Sequence, residues 1–460
     1  MAARHRAHPA KEVTMPETIG ALAIEKVVFR GYGLGHADGQ AVFVAHALPG
    51  DVVDVRVVHR RGGVLLAHIE RYVQRSPHTV PAPCEVFGTC GGCDWLHLPY
   101  DFQLLYKQQM IEQLFGEIPG AREVTRPIMA SPQPQRYRNK AFLPVRMVNG
   151  QPQVGMFARR SHEVIAHEDC LLQPPLFDHI AATFRGYLTS AHVPVYCEAQ
   201  HSGSVRFLGI RQSRHNGECV VVVVTRGAKL PFSRQMVRAL TEAHPEVVGV
   251  VQNINRTPGN VILGEEDKLL WGRPWIEEKL GNRVFHVGYA SFFQVNTEQA
   301  QAMYNCVSGK LGEQTAVIDA FAGTGTIGVY VHQHAGQVWC VERNPSACED
   351  ARRNAARNGA PNLTVVEGQV EVEVPRLCRQ HAIDTIIFDP PRRGLEASTI
   401  EAVAGAGLRR VIYISCNAST QVRDVQRLLQ HGYRLQLIQP FDMFPQTHHT
   451  ENIVILEREP

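Results

Sequence analysis

The stretch TAVIDAFAGTGTIG, residues 315–328, decides the fold of the C-terminal part of this chain. An apolar run of strand type ends in a turn of glycines and small polar residues. Gly323, Gly325 and Gly328 satisfy the spacing G-x-G-x-x-G, in which glycines let the backbone approach a cofactor. Three later runs repeat the pattern: QVWCVERN at 337–344, AIDTIIFDPPRRG at 382–394 and RRVIYISCN at 409–417. Helical patterns such as PSACEDARRNAARNG at 345–359 separate them. Strands alternating with helices read as a doubly wound, Rossmann-like parallel sheet, whose ligands sit at the carboxyl ends of the strands.

Those strand ends hold the residues with chemistry. Glu342 ends the second strand 19 residues past Gly323, where an acid would accept ribose hydroxyls. This pattern suits a nicotinamide dehydrogenase as well as an S-adenosylmethionine enzyme. Asp389 is held at the sheet's mouth by Pro390-Pro391, a turn that lacks two backbone donors. Arg392 stands where amine-directed methyltransferases with a related motif carry an aromatic ring, which argues against an amine acceptor. Cys416 ends the last parallel run and reads either as a small core residue or as a presented nucleophile. A helix starting near Ser419 would lower its thiol below the ordinary value of about 8.5. The final stretch, 434–457, reads as an antiparallel strand pair whose connection carries His448, His449 and Glu451. Adjacent histidines point apart on extended chain, so Glu451 is better read as a proton-moving carboxylate than as a metal ligand.

A length of 460 residues allows roughly three domains at about 150 residues each. We read residues 1–15 as a solvated, disordered tail and 16–76 as an OB-like β-barrel of five short strands broken by Gly31, Gly33 and Gly35. Residues 77–290 read as an α+β central domain and 291–460 as the doubly wound domain, so the chain is multidomain α/β. No run approaches the roughly 18 apolar residues of a membrane span, and the N-terminus lacks the apolar core of a secretory signal. The expected setting is the cytoplasm, without membrane contact. The net charge is +3, and residues 1–76 carry ten Lys and Arg against seven acids. That excess reads as a solvated face or as a phosphate-facing surface. Arg30 and Tyr32 are candidate RNA contacts, whereas Phe43 is expected in the barrel core. Arg136, Arg138 and Lys140 alternate in RYRNKAFLPV and are expected on one strand face, as a phosphate contact or a solvated surface.

Residues 100–116 read as a helix capped by Asp101, with Phe102, Tyr106, Met110 and Leu114 as its apolar stripe. Eleven cysteines without a secretory signal argue against a disulfide framework. PCEVFGTCGGC at 83–93 groups Cys84, Cys90 and Cys93, and Cys170 can supply a fourth thiolate. This set fits zinc or a [4Fe–4S] cluster, and Gly91-Gly92 allows the tight wrap either needs.

Taken together, C-x5-C-x2-C with a later cysteine, SFFQVN, DAFAGTGTIG, DPPRRG, SCN and FPQTHHTE resemble the RNA uracil-5-methyltransferase family. The similarity is to its iron–sulfur-containing 23S ribosomal RNA branch and extends to the barrel, which resembles a TRAM domain. The resemblance implies a [4Fe–4S] cluster on Cys84, Cys90, Cys93 and Cys170. It implies that Gln294, Phe321, Glu342 and Asp389 line the S-adenosylmethionine and uracil pocket, with Thr326 and Gln369 as further cofactor contacts. Within this family Cys416 looks like the nucleophile and Glu451 the base. The expected activity is methylation of carbon 5 of a uridine in 23S ribosomal RNA. A transfer-RNA enzyme is the alternative, followed by a nicotinamide oxidoreductase and a non-catalytic iron–sulfur RNA-binding protein. No obligate protein partner is expected, and a monomer is the default state.

Overall fold

A computed structural model describes residues 17–458, so the tail expected at 1–15 lies outside the described residues. Contacts divide the chain into one unit ending at Val80 and another starting at Pro81. The first contains β1 (Thr18–Ala23), β2 (Lys26–Val28), β3 (Tyr32–Ala37), β4 (Gln40–Val44), β5 (Val52–Arg61) and β6 (Val64–Gln74). They form one six-stranded sheet in the order β1-β5-β6-β4-β3-β2, one strand more than expected. In β5, Val53, Val55 and Val57 point into the core while Arg56 is exposed, the period of two that a half-buried strand requires. Gly33 and Gly35 do not break the pairing but lie inside β3. A Cβ on Gly33 would stand 2.6 Å from the Ala47 carbonyl oxygen, and one on Gly35 2.4 Å from that of Ala23. Val42 and Val44 take the inward positions of β4, which turns Phe43 out of the expected core and onto Tyr32, ring centroids 6.3 Å apart. Arg30 is exposed.

The second unit opens with α1 (Tyr100–Phe115) and α2 (Ala121–Val124). A seven-stranded sheet follows, built from β7 (Lys140–Val148), β8 (Gln151–Phe157), β9 (Val164–Ala166), β10 (Val205–Gln212), β11 (Cys219–Thr225), β12 (Val247–Ile254) and β13 (Glu266–Gly272). Its order is β13-β12-β11-β10-β7-β8-β9, with α3 (Pro175–Ser190) and α4 (Ser233–Ala243) packed on it. Every residue of β11 is buried, because its two faces serve different cores. Val221 and Val223 meet Phe184, Met236 and Leu240, whereas Val220, Val222 and Val224 join a core that reaches Phe441 and Ile453. Each such valine contributes about 1.5–3 kcal/mol of burial. Helix α1 differs from expectation in detail. Pro99 precedes it without a side-chain cap and Asp101 lies in its first turn. Its buried side includes Gln103 and Lys107, which serve polar contacts described below.

After the hairpin β14 (Trp275–Leu280) and β15 (Arg283–Gly288) comes α5 (Thr297–Ser308), and then the doubly wound sheet. Its elements are β16 (Ala316–Ala320), α6 (Thr326–Val331), β17 (Gln337–Glu342), α7 (Pro345–Arg357), β18 (Leu363–Glu367), α8 (Val370–Gln380) and β19 (Thr385–Phe388). They continue with α9 (Ala397–Gly405), β20 (Arg410–Ser415), α10 (Ala418–Gln430), β21 (Arg434–Phe441) and β22 (Glu451–Glu457). The strand order is β18-β17-β16-β19-β20-β22-β21, with β22 antiparallel to both its neighbours. The chain reverses direction across the sheet between β16 and β19, and such a reversal opens a ligand crevice at the carboxyl edge. Among the described residues no helix is long and apolar enough to cross a membrane.

Candidate active site

The glycine turn shapes the crevice on the β16 side. Phe321, Gly323 and Gly325 all have positive φ (62°, 55° and 74°), so the chain doubles back before α6. Gly328 has no room for a side chain: an added Cβ would lie 2.3 Å from Cys340 Sγ. Its N–H donates to Asp319 Oδ2 (2.8 Å) at the end of β16. Burial, more than any other influence, pushes the Asp319 carboxyl up to about 7. On β17, Glu342 accepts the N–H of Gly323 (3.0 Å) and of Asn344 (2.8 Å), one on each oxygen. A carboxylate offers about four lone-pair sites, so Glu342 keeps capacity for ribose hydroxyls. Phe321 packs near the buried Phe388 of β19, ring centroids 6.3 Å apart. Thr326 is half-buried beside Thr324, hydroxyl to hydroxyl 3.1 Å. Gln294 is buried ahead of α5, its carbonyl held by Asn139 Nδ2 (2.9 Å). Gln369 is exposed at the N-terminus of α8, at the edge strand β18.

On the other side of the crevice stand Asp389, Arg392, Cys416 and Glu451. The turn after Asp389 is tied to α10: the Arg392 carbonyl accepts from Asn417 Nδ2 (2.8 Å) and Thr420 Oγ1 (3.3 Å). Antiparallel pairing matches Ser415 with Asn452, and one further step sets Cys416 opposite Glu451. Glu451 opens β22, so the reversed direction of that strand brings a carboxylate to the same edge as the parallel strand ends. Burial pushes Asp389 up to about 7. Burial and then Asp389 drive Glu451 well above the carboxylate range, against the pull of Arg392. Tyr304 on α5 is buried where Asp389, Asp319 and Glu451 all act on its hydroxyl. Its position in the buried stripe of α5 reads only as core, so the sequence carried no signal for it.

Cys416 departs from the expectation of an activated thiol. Burial and the Glu451 carboxylate push it up to about 11, while Arg392 alone pulls it down among its close partners. Position explains the sign. Cys416 lies before the Asn417 cap of α10, and a helix terminus supplies only about 0.3–1 kcal/mol, less than one pKa unit. Alkylation of Cys416 by iodoacetamide in the ligand-free enzyme is therefore expected to rise about tenfold per pH unit through neutrality. It should level only near pH 11, and Arg392→Gln should slow it further. Peptide mapping by mass spectrometry reads this directly, and a plateau near pH 8 would contradict it.

The grouped cysteines form a second site. Cys84, Cys90, Cys93 and Cys170 line one small pocket, walled by Phe87, Leu96, Met156 and Leu172 with His167 beside them. The loop is wrapped tightly: Cys90 N–H donates to the Val86 carbonyl (2.9 Å) and Gly91 N–H to that of Phe157 (2.9 Å). Gly92 N–H reaches Cys90 Sγ (3.4 Å). Burial raises the thiols of Cys90 and Cys93 and takes Cys170 to about 11; Cys93 is raised further by the other thiols. Four thiolates cannot coexist there without a cationic centre to hold them. Among the described residues no three His, Cys, Asp or Glu side chains converge on one ion-sized point. The four sulfurs line one pocket, and thiolate donors of this kind suit either zinc or an iron–sulfur centre.

Arg136, Arg138 and Lys140 do not share the expected strand face. Arg136 has φ 56° and donates to the Cys170 carbonyl (2.9 Å) while pairing with Asp169 (2.5 Å). Arg138 stands beside Tyr137 and the thiols of Cys93 and Cys170. Lys140 opens β7 and is taken down to about 7 by burial and Arg211. Arg136 and Arg138 brace the cysteine loops. His448 likewise turns to Asp94, its Nδ1 2.6 Å from Oδ2, and burial holds His449 neutral, down to about 3.

A doubly wound sheet with a glycine turn, a free-handed acid on the second strand and carboxylates lining the crevice is built for a cationic nucleoside cofactor, as in the S-adenosylmethionine-dependent methyltransferases. The comparisons narrow this class. The family model tRNA (Uracil-5-)-methyltransferase matches residues 251–459, and the TRAM domain model matches 21–69. An uncharacterized RNA methyltransferase of Halalkalibacterium halodurans is 36% identical over 95% of this chain and 96% of its own. One from Lactiplantibacillus plantarum is 37% identical over 95% and 97%. The crystal structure of Pyrococcus abyssi tRNA (uracil-54, C5)-methyltransferase with S-adenosyl-L-homocysteine superposes with a TM-score of 0.76. It covers 95% of this chain and all of that one at 24% identity, a likeness of fold. The chain belongs to the RNA uracil-5-methyltransferase family, and it is an S-adenosylmethionine-dependent RNA (uracil-5-)-methyltransferase.

Proposed function

We propose that this enzyme methylates carbon 5 of a uridine in 23S ribosomal RNA through a covalent Cys416–uracil adduct, with Glu451 removing the carbon 5 proton. The observation that carries this reading is the nearness of Glu451 to the Cys416 thiol, one step beyond the Ser415–Asn452 pair that ends the ladder between β20 and β22. S-adenosylmethionine, when bound, supplies a methyl group on a cationic sulfur. The residues already described would do the rest. Cys416 Sγ adds to carbon 6, and the ring electrons move onto the carbonyl oxygen to leave carbon 5 nucleophilic. Once carbon 5 carries the methyl group, Glu451 takes its proton. The carbon–hydrogen electrons then restore the 5,6 double bond as the carbon–sulfur bond breaks and the thiolate leaves. A carboxylate driven above its usual range binds a proton more firmly, which suits that step. Arg392, facing Cys416, favours the thiolate on addition and on departure. Gln294, Phe321, Thr326, Glu342, Gln369 and Asp389 are the proposed cofactor contacts. The target base must leave its stack to enter the crevice.

The ribosomal substrate is supported by the four-cysteine site, which we assign to a [4Fe–4S] cluster on Cys84, Cys90, Cys93 and Cys170. Cys93→Ala is expected to lose the iron, the inorganic sulfide and the brown absorption of anaerobically purified protein together; zinc in place of iron would refute the assignment. Transfer RNA is the second reading, favoured by the substrate of the Pyrococcus abyssi enzyme. We propose a cytoplasmic, monomeric enzyme. The function is tested by trapping with 5-fluorouridine transcripts, because fluorine at carbon 5 cannot leave as a proton and the adduct stalls. A methyl-labelled adduct on ribosomal RNA supports the proposal, one on transfer RNA alone overturns the substrate, and none on either overturns the mechanism.

A further inference from the structure

The segment that leads into Glu451 is held from the cysteine loop. Asp94 follows Cys93 directly. Its Oδ2 accepts the His448 N–H (3.1 Å) and lies 2.6 Å from His448 Nδ1. Its other oxygen pairs with Arg159, whose guanidinium also donates to the Cys93 carbonyl (3.4 Å). The N–H groups of Asp94 and Trp95 both donate to the Gln446 carbonyl (2.9 and 3.1 Å). Gln446 is buried with φ 67°, a conformation that a residue with a side chain keeps only where its surroundings impose it. Gln103 completes the clasp, accepting from the Gln446 N–H (3.0 Å) and donating to its Oε1 (2.9 Å). Further back, fully buried Lys107 pairs with Asp442 (2.5 Å) and donates to the Phe444 carbonyl (3.1 Å). His448 stands three residues before Glu451.

We propose that Asp94 and His448 are positioning residues that transmit the geometry of the four-cysteine site to Glu451. With the cysteine loop folded around its centre, Asp94 stands where it fixes His448, and the strand that follows delivers the Glu451 carboxylate to carbon 5. A loosened loop frees His448, and proton removal slows while thiol addition and methyl transfer continue. A centre held by the four cysteines would act on the last chemical step only through these hydrogen bonds. This inference rests on the reading of Glu451 as the base.

The test uses Asp94→Asn and His448→Gln full-length enzymes, with Glu451→Gln as reference, on whichever transcript forms the fluorouridine adduct. Expected for both variants are unchanged iron content, unchanged adduct formation on the fluorinated transcript, and turnover on ordinary uridine lowered about tenfold or more. A methylated covalent adduct should accumulate on the ordinary transcript, and amide hydrogen exchange should quicken at residues 446–450. If Glu451→Gln accumulates that adduct while Asp94→Asn and His448→Gln turn over normally, the coupling is wrong and the base assignment stands. Loss of iron in step with adduct formation would make the pair merely structural. Absence of the adduct in Glu451→Gln itself would overturn the base assignment.

Discussion

Alanine in place of Cys416 is expected to abolish methylation, lowering single-turnover transfer by about 10⁴-fold or more, the scale on which loss of a covalent nucleophile is felt. Carbon 5 of uracil is a weak nucleophile until sulfur occupies carbon 6, and among the described residues the neighbouring strand ends offer no second thiol. Adduct formation with 5-fluorouridine RNA should vanish with it. The substitution removes one sulfur from a half-buried position, and the contacts that shape the turn belong to its neighbours. Ser415 Oγ accepts the Asn417 N–H (3.1 Å), and the Arg392 carbonyl is held by Asn417 and Thr420. Folding and S-adenosylmethionine binding should therefore be retained. Thermal unfolding, calorimetry and radiolabel transfer measured on one preparation check all three. Residual transfer above about one part in a hundred, with an intact fold, would return Cys416 to the ordinary core.

Glu451→Gln should fail differently. The thiol still adds and the methyl group still arrives, but the proton stays, so methylated adduct builds up on ordinary uridine RNA. Turnover should fall about 10²- to 10⁴-fold, the range of general base catalysis. Glutamine keeps the shape of the side chain and removes its capacity to exchange a proton. The stability effect runs opposite to the activity effect. Burial and Asp389 hold Glu451 above the carboxylate range, so the folded protein binds a proton that the unfolded chain has released. Stability contributed by this group is complete below about pH 4, the ordinary glutamate value, and is lost as pH rises toward the raised folded value. The glutamine variant lacks that loss and should unfold at a higher temperature than the native enzyme at neutral pH. Gel analysis of the adduct and thermal scans at several pH values check both signs; normal turnover without adduct would exclude Glu451 as the base.

Much of the site was legible because its residues sit at the ends of regular elements. Gly323, Glu342, Asp389 and Cys416 each close an apolar run, and a sheet with alternating helices gathers such ends at one edge. The grouping of Cys84, Cys90 and Cys93 was legible through spacing, since a short loop brings its own side chains together. Several side chains escaped this kind of reading. Phe43 was expected inside the barrel, but the pleat had already given the inward positions to Val42 and Val44. Arg136 was expected on a strand face turned to phosphate or to solvent, but a positive φ turns it to the Cys170 loop.

The sequence by itself determined the order of strands and helices, the turns at their ends and the residue types offered there, because periodicity and turn chemistry act over a few neighbouring residues. The tertiary structure alone decided how those residues behave. Cys416 is a hard thiol to ionise because of the burial around it and the carboxylate on a strand that returns from the chain's end. Asp94 meets His448 across 354 residues of sequence, and Lys107 meets Asp442 across 335. Charge and burial depend on everything within a few ångströms, and the fold supplies those neighbours from parts of the chain that no local pattern connects.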